Sequence, residues 1–320
     1  MALRLDGSPF LFFITNDGNQ DLLKEEMVQY FPHLTPSFSK DTFLTFKNQD
    51  KEVSPAELTK MSFVYQKFFG LNIGKTKAGE KQSALEEFKK SKFADDGYVV
   101  FDFSLTCENK KPIIDESAKW ILSFIEVSAK ETWVGLSPNR KTGYAGSLFL
   151  DDHLPESAPS RAYLKVLQGF EYLGYKLQAE TILEAGSAPG GASRYLLDKG
   201  CHVVGIDPAE MDPTILESKN FFHLKKPIQE VESLGNKKID WLVVDLNLPP
   251  AISIKESLRL IKPFSRKIKG CLFNIKTGDL AHVKEIEWHL KKFSEFGFKK
   301  LEAVQLPSHR REFMVIGSNL

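Results

Sequence analysis

Short apolar segments alternate with helix-like segments throughout the second half of the chain, and this alternation constrains the fold more than any other feature. A helix with Tyr163 and Phe170 on its apolar face is predicted after Ser160, a good N-cap residue. Three more helices are predicted at 191–199, 252–261 and 282–296. The segments with the composition of buried strands are Thr181–Glu184, Cys201–Asp207, Phe221–Leu224, Asp240–Leu246, Cys271–Lys276, Phe298–Leu306 and Phe313–Gly317. This order predicts an α/β fold with a doubly wound, mostly parallel, seven-stranded sheet.

The first half of the chain has a mixed pattern without recognisable chemistry. Strands are predicted at 9–14, 43–46 and 98–103, and helices at 20–31, 84–92 and 115–128. We therefore expect a small α+β region over residues 1–135. Residues 136–159 are rich in Pro, Gly, Asp and Ser, which predicts a linker or an ordered crossover loop before a second domain at 160–320.

The segment Thr181–Ser193 (TILEAGSAPGGAS) leads from a strand through a glycine-rich turn into a helix. In an open α/β sheet such a turn lies at the C-terminal edge of the first strand, where ligands bind, and an acid such as Asp207 at the end of the second strand can bind a ribose diol. The glycines permit close approach of the backbone. The GxGxxG and GK[ST] patterns are absent, and Pro189 lacks an amide hydrogen. A nucleoside without phosphates is therefore favoured, and the alternative is an ordinary tight turn.

Composition excludes several classes of protein. The net charge is +1, but residues 255–320 hold 14 basic and 7 acidic residues, which suits either a polyanion or solvated helix faces. Cys107, Cys201 and Cys271 have neither disulfide-framework nor metal-ligand spacing, and the histidines (His202, His223, His282 and His289 among them) show no ligand spacing, so no metal is expected. Charges interrupt every apolar run, so no membrane span or signal peptide is expected, and the cytoplasm is the expected location.

The motif Ser187–Gly191 (SAPGG), followed by the acid-terminated strand and Met211–Pro213, resembles the FtsJ family of ribose 2′-O-methyltransferases. The resemblance extends over 158–320 through the blocks Ala158–Lys165, Asp240–Asp245, Cys271–Lys276 and His309–Phe313. It is closest to the RlmM-like branch, which methylates cytidine in large-subunit ribosomal RNA, and Trp133–Ser137 is also similar. The resemblance implies a Rossmann-like domain, S-adenosylmethionine as cofactor and RNA as substrate. It also implies that residues 1–135 are ferredoxin-like or THUMP-like and bind RNA.

The family uses a Lys-Asp-Lys-Glu tetrad, and the matching residues are Lys165, Asp245, Lys276 and Glu312. By resemblance, Lys276 is the base, Lys165 orients the hydroxyl, Asp245 lies near the methyl group and Glu312 holds the geometry. A lysine accepts a proton only when neutral, so we expect burial and the neighbouring Lys165 to lower the pKa of Lys276. Taken singly, each residue has an ordinary surface explanation; together with the glycine turn they predict catalysis.

The remaining implied contacts surround this tetrad. The cofactor residues are Glu184, Gly186, Ser187, Ala188, Pro189, Gly190, Gly191, Ala192, Asp207, Pro208 and Asp245. The RNA phosphate contacts expected around the site are Arg259, Lys262, Arg266, Lys267, Lys269, Arg310 and Arg311. The sequence departs from the family where an aromatic residue is replaced by Ala192, and where 223–229 (HLKKPIQ) lacks the acid that binds the adenine amine, so Gln229 or a backbone group would serve there.

Two other functions remain open from the sequence. Leu246–Pro250 (LNLPP) superficially resembles the Asn-Pro-Pro-aromatic motif of enzymes that methylate base amines, although Leu248 separates the asparagine from the prolines and Ala251 replaces the aromatic residue. The chain could also be an RNA-binding protein whose methyltransferase fold no longer catalyses. The intact tetrad argues against this second alternative.

Overall fold

The computed structural model describes residues 2–77, 79–105, 117–139, 153–235 and 237–320. The chain divides into two compact units, residues 1–150 and 151–320. Cys107 and residues 140–152 of the predicted linker lie outside the described residues, as do residues 115 and 116 of the predicted helix 115–128.

The N-terminal unit is built on a seven-stranded sheet with the order β2-β3-β1-β4-β7-β6-β5. All neighbours are antiparallel except β5 and β6. Its strands are β1 (Phe10–Ile14), β2 (Leu34–Lys40), β3 (Phe43–Asn48), β4 (Phe68–Lys77), β5 (Tyr98–Ser104), β6 (Trp120–Ser128) and β7 (Glu131–Pro138). Its helices are α1 (Gln20–Tyr30), α2 (Pro55–Leu58), α3 (Lys81–Phe88) and α4 (Lys92–Asp95).

The predicted helix at 115–128 is wrong, because Trp120–Ser128 is the strand β6. Its first six residues are all buried, so the two-residue alternation that marks a half-buried strand is absent. Strands β2, β4 and β7 were not predicted either. Strand β7 also continues to Pro138, three residues into the predicted linker 136–159. An aromatic core fills this unit: the Phe12 ring packs on Phe43 and Phe68, with centroids 6.1 and 5.6 Å away.

The C-terminal unit contains the predicted seven strands and confirms the α/β fold. The sheet order is β10-β9-β8-β11-β12-β14-β13. The first five strands in this order are parallel to one another, and β14 is antiparallel to both its neighbours. The strands are β8 (Thr181–Ala185), β9 (His202–Ile206), β10 (Phe221–Leu224), β11 (Trp241–Val244), β12 (Gly270–Lys276), β13 (Lys300–Val304) and β14 (Glu312–Ser318). The helices are α5 (Ala162–Leu173), α6 (Gly191–Asp198), α7 (Pro213–Leu216), α8 (Pro250–Ile261) and α9 (Ile286–Phe296).

Two helix starts differ from prediction. Helix α5 begins at Ala162 with Arg161 at the N-cap position, although the hydroxyl of Ser160 accepts a hydrogen bond of 3.4 Å from the Ala162 amide. The predicted helix 282–296 is divided, because Leu280–Glu285 forms a 3-10 helix before α9. Neither difference changes which face of the element is buried.

The parallel strands give this sheet two chemically different edges. We call the edge at which β8, β11 and β12 end the C-terminal edge, and the edge at which they begin the N-terminal edge. Because β14 runs the other way, its first residue, Glu312, lies at the C-terminal edge opposite Lys276. In the described parts of the chain no helix is long and apolar enough to cross a membrane, and no group of His, Cys, Asp or Glu side chains could hold a metal ion.

Candidate active site

Four charged side chains meet at the C-terminal edge, and each comes from a different element. Lys165 projects from the first turn of α5, and Asp245 directly follows β11. Lys276 is the last residue of β12, and Glu312, the first residue of β14, is its partner in the antiparallel ladder. Sheet topology therefore brings together residues that are far apart in the chain.

Each of the two lysines bridges both carboxylates. The amine of Lys165 lies 2.9 Å from Asp245 Oδ2 and 2.7 Å from Glu312 Oε1. The amine of Lys276 lies 2.6 Å from Asp245 Oδ1 and 2.7 Å from Glu312 Oε2. The side chain of Lys276 is 34% exposed and that of Lys165 only 13%, so Lys276 is the more accessible of the two lysines.

The charges in this cluster stabilise one another. Burial would raise the pKa of Asp245, but Lys165 and Lys276 outweigh it and hold the pKa below the ordinary aspartate value. Burial likewise acts to raise the pKa of Glu312, and the neighbouring His309, Lys165 and Lys276 lower it overall. Burial acts to lower the pKa of Lys276, but the carboxylates of Asp245 and Glu312 raise it above the ordinary lysine value. The expected lowering of the Lys276 pKa is therefore wrong, because two carboxylates contact the amine directly.

The glycine-rich turn between β8 and α6 packs tightly against the protein itself. Gly186 has a positive φ of 81°, and an added Cβ would lie 2.4 Å from the carbonyl oxygen of Asp245. At Gly191 an added Cβ would lie 2.2 Å from the hydroxyl oxygen of Ser160. The sequence explained these glycines by the approach of a ligand; the structure adds that they let the turn contact the end of β11 and the segment before α5.

Asp207, at the end of β9, fixes the same turn. One carboxylate oxygen accepts a hydrogen bond of 3.1 Å from the Ala188 amide, and the other accepts one of 2.8 Å from the Ala209 amide. A carboxylate can accept further hydrogen bonds. Asp207 can therefore both hold the turn and bind a ligand hydroxyl. Of the other predicted cofactor residues here, Ser187 is buried, with its hydroxyl 3.5 Å from the Met211 sulfur, whereas Pro189 and Pro208 are exposed.

A small pocket adjoins the cluster between α5, the turn and β12. Glu184, Gly186 and Ala192 line it together with Lys165 and Asp245. Glu184 is buried, and its Oε2 accepts a hydrogen bond of 2.6 Å from the Ser193 hydroxyl. Its Oε1 has no hydrogen-bond partner among the described residues. Burial raises the pKa of Glu184 to about 8.

Asn274 also lines this pocket and was not predicted from the sequence. Its side chain is buried, and within the described chain its Oδ1 accepts no hydrogen bond. The available signal was its position in β12, because the two-residue period of a strand places Asn274 and Lys276 on the same face. An asparagine inside an otherwise apolar strand therefore marks the pocket-lining face.

These features fit S-adenosylmethionine. The unpartnered Glu184 Oε1 and Asn274 Oδ1 are buried acceptors beside the turn, and buried acceptors ordinarily have a partner. Asp207 supplies a carboxylate at the end of the second strand, where a ribose is bound in this class of sheet. The predicted adenine contact is untested: Gln229 is exposed in the 3-10 helix Ile228–Glu230.

Five of the seven predicted RNA contacts do not lie around this cluster. Arg266, Lys267 and Lys269 precede β12, whereas Lys276 ends it, so about 20 Å of extended strand separates them from the cluster. Arg259 and Lys262 lie at the C-terminal end of α8, which returns the chain to the N-terminal edge where β12 begins. Their placement near the site is therefore wrong.

The seven cations also differ in how far the protein engages them. Arg259 donates hydrogen bonds to the carbonyls of Ile228 and Val231, at 3.2 and 2.9 Å. Lys269 contacts Glu180 Oε1 at 3.0 Å. Arg310 and Arg311 immediately precede Glu312 and are the two that lie at the C-terminal edge.

Comparison with known proteins assigns this unit to a family. Residues 158–315 match the model of the FtsJ-like methyltransferase family. Residues 158–315 are an FtsJ-like methyltransferase domain. The match confirms the predicted fold, and with it an enzyme that uses S-adenosylmethionine as methyl donor. The roles predicted for single residues remain predictions.

Two curated proteins are similar to this chain over different lengths. The protein named Ribosomal RNA large subunit methyltransferase M from Cellvibrio japonicus is 27% identical over 284 residues, which cover 85% of this chain and 76% of that protein. Its namesake from Teredinibacter turnerae is 27% identical over 144 residues, which cover 42% of this chain and 40% of that protein. Among solved structures, the 1,6-didemethyltoxoflavin-N1-methyltransferase of Burkholderia thailandensis is 13% identical with a TM-score of 0.37, and the match covers 50% of this chain and 77% of that one.

Proposed function

We propose that this protein transfers the methyl group of S-adenosylmethionine to the 2′-hydroxyl of a ribose in RNA, and that its substrate is a cytidine of large-subunit ribosomal RNA. The names of the Cellvibrio and Teredinibacter relatives support ribosomal RNA as the substrate class. The resemblance to the RlmM-like branch supports cytidine and the ribose hydroxyl.

The observation that carries the proposal is the buried cluster of two lysines and two carboxylates beside the glycine turn. Lys165 and Lys276 each contact both Asp245 and Glu312 at 2.6–2.9 Å. A ribose hydroxyl is a weak nucleophile, so its attack requires alignment and removal of a proton as the new bond forms. Amines and carboxylates fixed in this arrangement can both align the hydroxyl and accept its proton.

We assign the proton acceptor to Lys276 Nζ, because the side chain of Lys276 is the more exposed of the two and therefore the more accessible to a substrate. In the free protein the two carboxylates favour its protonated form. The reactive form is therefore the fraction that has lost a proton, and this fraction increases with pH. Lys165 holds both carboxylates in place and orients the hydroxyl.

When bound, S-adenosylmethionine supplies an electrophilic methyl group on a sulfonium. Glu184, the turn 186–192, Asp207 and Pro208 would hold it, with Asn274 as an additional acceptor. Arg310 and Arg311, next to Glu312, would contact phosphates near the target nucleotide. The N-terminal unit, whose residues 1–150 carry 19 basic and 20 acidic residues, would bind RNA by shape and local contacts rather than by bulk charge.

The experiment that tests the proposal identifies the methylated atom. Unmodified large-subunit ribosomal RNA is incubated with the protein and with S-adenosylmethionine labelled in the methyl group, and the RNA is then hydrolysed with alkali. A methylated 2′-hydroxyl cannot attack the neighbouring phosphate, so we expect the label in alkali-resistant dinucleotides whose 5′ residue is cytidine. DNA of the same sequence is the control substrate and should remain unlabelled, because it lacks the hydroxyl.

Other distributions of label would reject the proposal in defined ways. Label in mononucleotides, on a base, would indicate base methylation. RNA binding without any transfer would indicate the catalytically silent alternative. A labelled dinucleotide with a different 5′ nucleotide would retain the ribose chemistry and reject cytidine.

A further inference from the structure

The N-terminal edge of the FtsJ-like domain is lined with cations. Each strand that runs in the direction of β8 is preceded by a lysine, which lies one to five residues before the first residue of the strand. These residues are Lys176, Lys199, Lys219, Lys238, Lys269 and Lys299. They come from separate connections, so the sequence shows no single basic run; the common direction of the strands places them along one edge.

Two neighbouring clefts concentrate this charge. One, of about 550 Å³, is lined by Lys237, Lys238, Arg266 and Lys267 together with Phe264. The other, of about 410 Å³, shares Lys237 and Lys238 and adds Lys219 and Phe222. We call these seven residues the basic edge: Lys219, Phe222, Lys237, Lys238, Phe264, Arg266 and Lys267.

Four of the five cations of the basic edge have no carboxylate partner among the described residues. Lys219, Lys237, Arg266 and Lys267 are exposed, and none forms an ion pair with a carboxylate of the described residues. Lys238 pairs with Asp240 at 2.9 Å but remains 70% exposed.

Two acids at this edge are directed inward. Asp240 accepts a hydrogen bond of 3.0 Å from the Thr181 amide, and Glu180 accepts hydrogen bonds from the Tyr175 hydroxyl and the amine of Lys269. The positive charge of the basic edge is therefore available to an anion.

An exposed aromatic ring lies among these cations. Phe222 is 48% exposed, although it belongs to the strand β10, and the amine of Lys237 lies 4.2 Å from its ring centroid. Cations interleaved with exposed rings are the means by which proteins bind single-stranded nucleic acid: lysines contact phosphates, and rings stack on bases. A cluster of lysines also attracts an anionic membrane surface, but a bilayer is flat, and the concave clefts here fit a flexible strand better.

We propose that the basic edge binds the phosphate backbone of the RNA at a second site, about 20 Å from the cluster that contains Lys276. This inference rests on the proposed function, in that it takes RNA as the substrate. The RNA then follows the FtsJ-like domain from one edge of the sheet to the other. The C-terminal edge selects the reactive ribose, and the basic edge supplies affinity without contacting it.

The test compares two variants that lose the same charge. The edge variant carries K237Q, R266Q and K267Q, and the control variant carries K255Q, K291Q and K292Q, which are solvent-accessible lysines on α8 and α9. Affinity is measured by fluorescence anisotropy with labelled polyuridylate over a series of salt concentrations. Methyl transfer is measured on large-subunit ribosomal RNA and on a short oligonucleotide that contains only the target and its immediate neighbours.

We expect the edge variant to bind polyuridylate roughly 10-fold or more weakly than the control variant. Its slope of log affinity against log salt should decrease by about 2, because each phosphate contact to a single strand contributes about 0.7. On the long RNA its KM should rise with an unchanged kcat, and on the short oligonucleotide both constants should match the control. The single variants R266Q and K267Q, at exposed positions, repeat the measurement if the triple variant unfolds.

The outcomes separate this inference from the proposed function. Equal polyuridylate affinity and salt slope in the edge and control variants would overturn the basic edge, whether or not RNA is methylated. Loss of polyuridylate affinity in the edge variant alone would support the basic edge even if no ribose were methylated. Preference of the wild-type protein for phosphatidylserine vesicles over polyuridylate, abolished in the edge variant, would also overturn it.

Discussion

The two edges of the FtsJ-like sheet use the same residue types in opposite ways. At the C-terminal edge, Lys165 and Lys276 are paired with Asp245 and Glu312 in a largely buried cluster whose formal charges cancel. At the N-terminal edge, Arg266 and Lys267 are exposed, and the described residues provide no carboxylate for them. Charge that is buried and paired fixes geometry, whereas charge that is exposed and unpaired attracts a polyanion. Counting charges along the sequence cannot distinguish these two uses.

Removing the Lys276 amine from the C-terminal edge should have the largest effect on the rate of methyl transfer. We expect Lys276→Ala to reduce kcat about 100- to 10,000-fold, the usual contribution of a positioned proton acceptor, while S-adenosylmethionine binding measured by calorimetry persists. Lys276→Arg should be equally inactive, because a guanidinium keeps the positive charge but cannot accept the proton.

The matched control for that experiment is Lys255→Ala on α8, whose side chain is 79% exposed and which should keep wild-type turnover. Near-wild-type turnover in Lys276→Arg would show that Lys276 is not the proton acceptor. The cluster at the C-terminal edge would then have a structural role only. The contrast between the two edges would then concern charge alone.

Substitutions at two glycines allow the packing of the two edges to be compared. Gly186 and Gly200 both have positive φ, but an added Cβ at Gly186 meets backbone 2.4 Å away, whereas at Gly200 it meets nothing within 4 Å. We expect Gly186→Ala to lower the free energy of unfolding by about 2–5 kcal/mol, from backbone strain and overpacking together. Gly200→Ala, at the N-terminal edge, should lower it by about 1–2 kcal/mol from strain alone. Urea denaturation of both variants measures the difference. Equal decreases in the free energy of unfolding would show that the backbone around Gly186 can shift to accommodate the added Cβ.

The ionisation of the cluster should appear in the pH dependence of kcat/KM, which reports groups of the free enzyme. Because the carboxylates raise the pKa of Lys276, its neutral form is a minor fraction at neutral pH and increases tenfold with each pH unit. We expect kcat/KM to rise about tenfold per unit from about pH 7 to about pH 9 without a plateau. A plateau within that range, at unchanged RNA integrity, would contradict the assignment of the base.

Most of the C-terminal unit could be predicted, and less of the N-terminal unit. The seven strands of the FtsJ-like domain are short apolar segments separated by helices, so period and spacing mark each one. In the N-terminal unit, β6 is buried on both faces, and a continuous apolar run such as Trp120–Ile125 fits a helix as well as a strand. Its pairing with β7 and β5 decides the matter, and that pairing is not local.

The candidate site shows the same division. Lys165, Asp245, Lys276 and Glu312 could be selected because each lies in a block that resembles the FtsJ family and matches a member of its tetrad. The direction of the Lys276 pKa could not be predicted, because it depends on whether the amine is closer to carboxylates or to Lys165. Asn274 was missed because its neighbours in the sequence do not reveal the pocket that it lines.

The sequence alone determined the order of strands and helices in the second half, the glycine turn and the residues able to carry charge-based chemistry, because these depend on local patterns of a few residues. Only the tertiary structure decided which charges meet. Lys267 and Lys276 are close in sequence, yet β12 places them at opposite edges, while Lys165 and Glu312, from opposite ends of the domain, are in contact. Each residue adds about 3.3 Å to the length of an extended strand, so neighbours in the sequence can lie far apart in space. Pairing between strands has the opposite effect, because it brings segments that are distant in the sequence into contact.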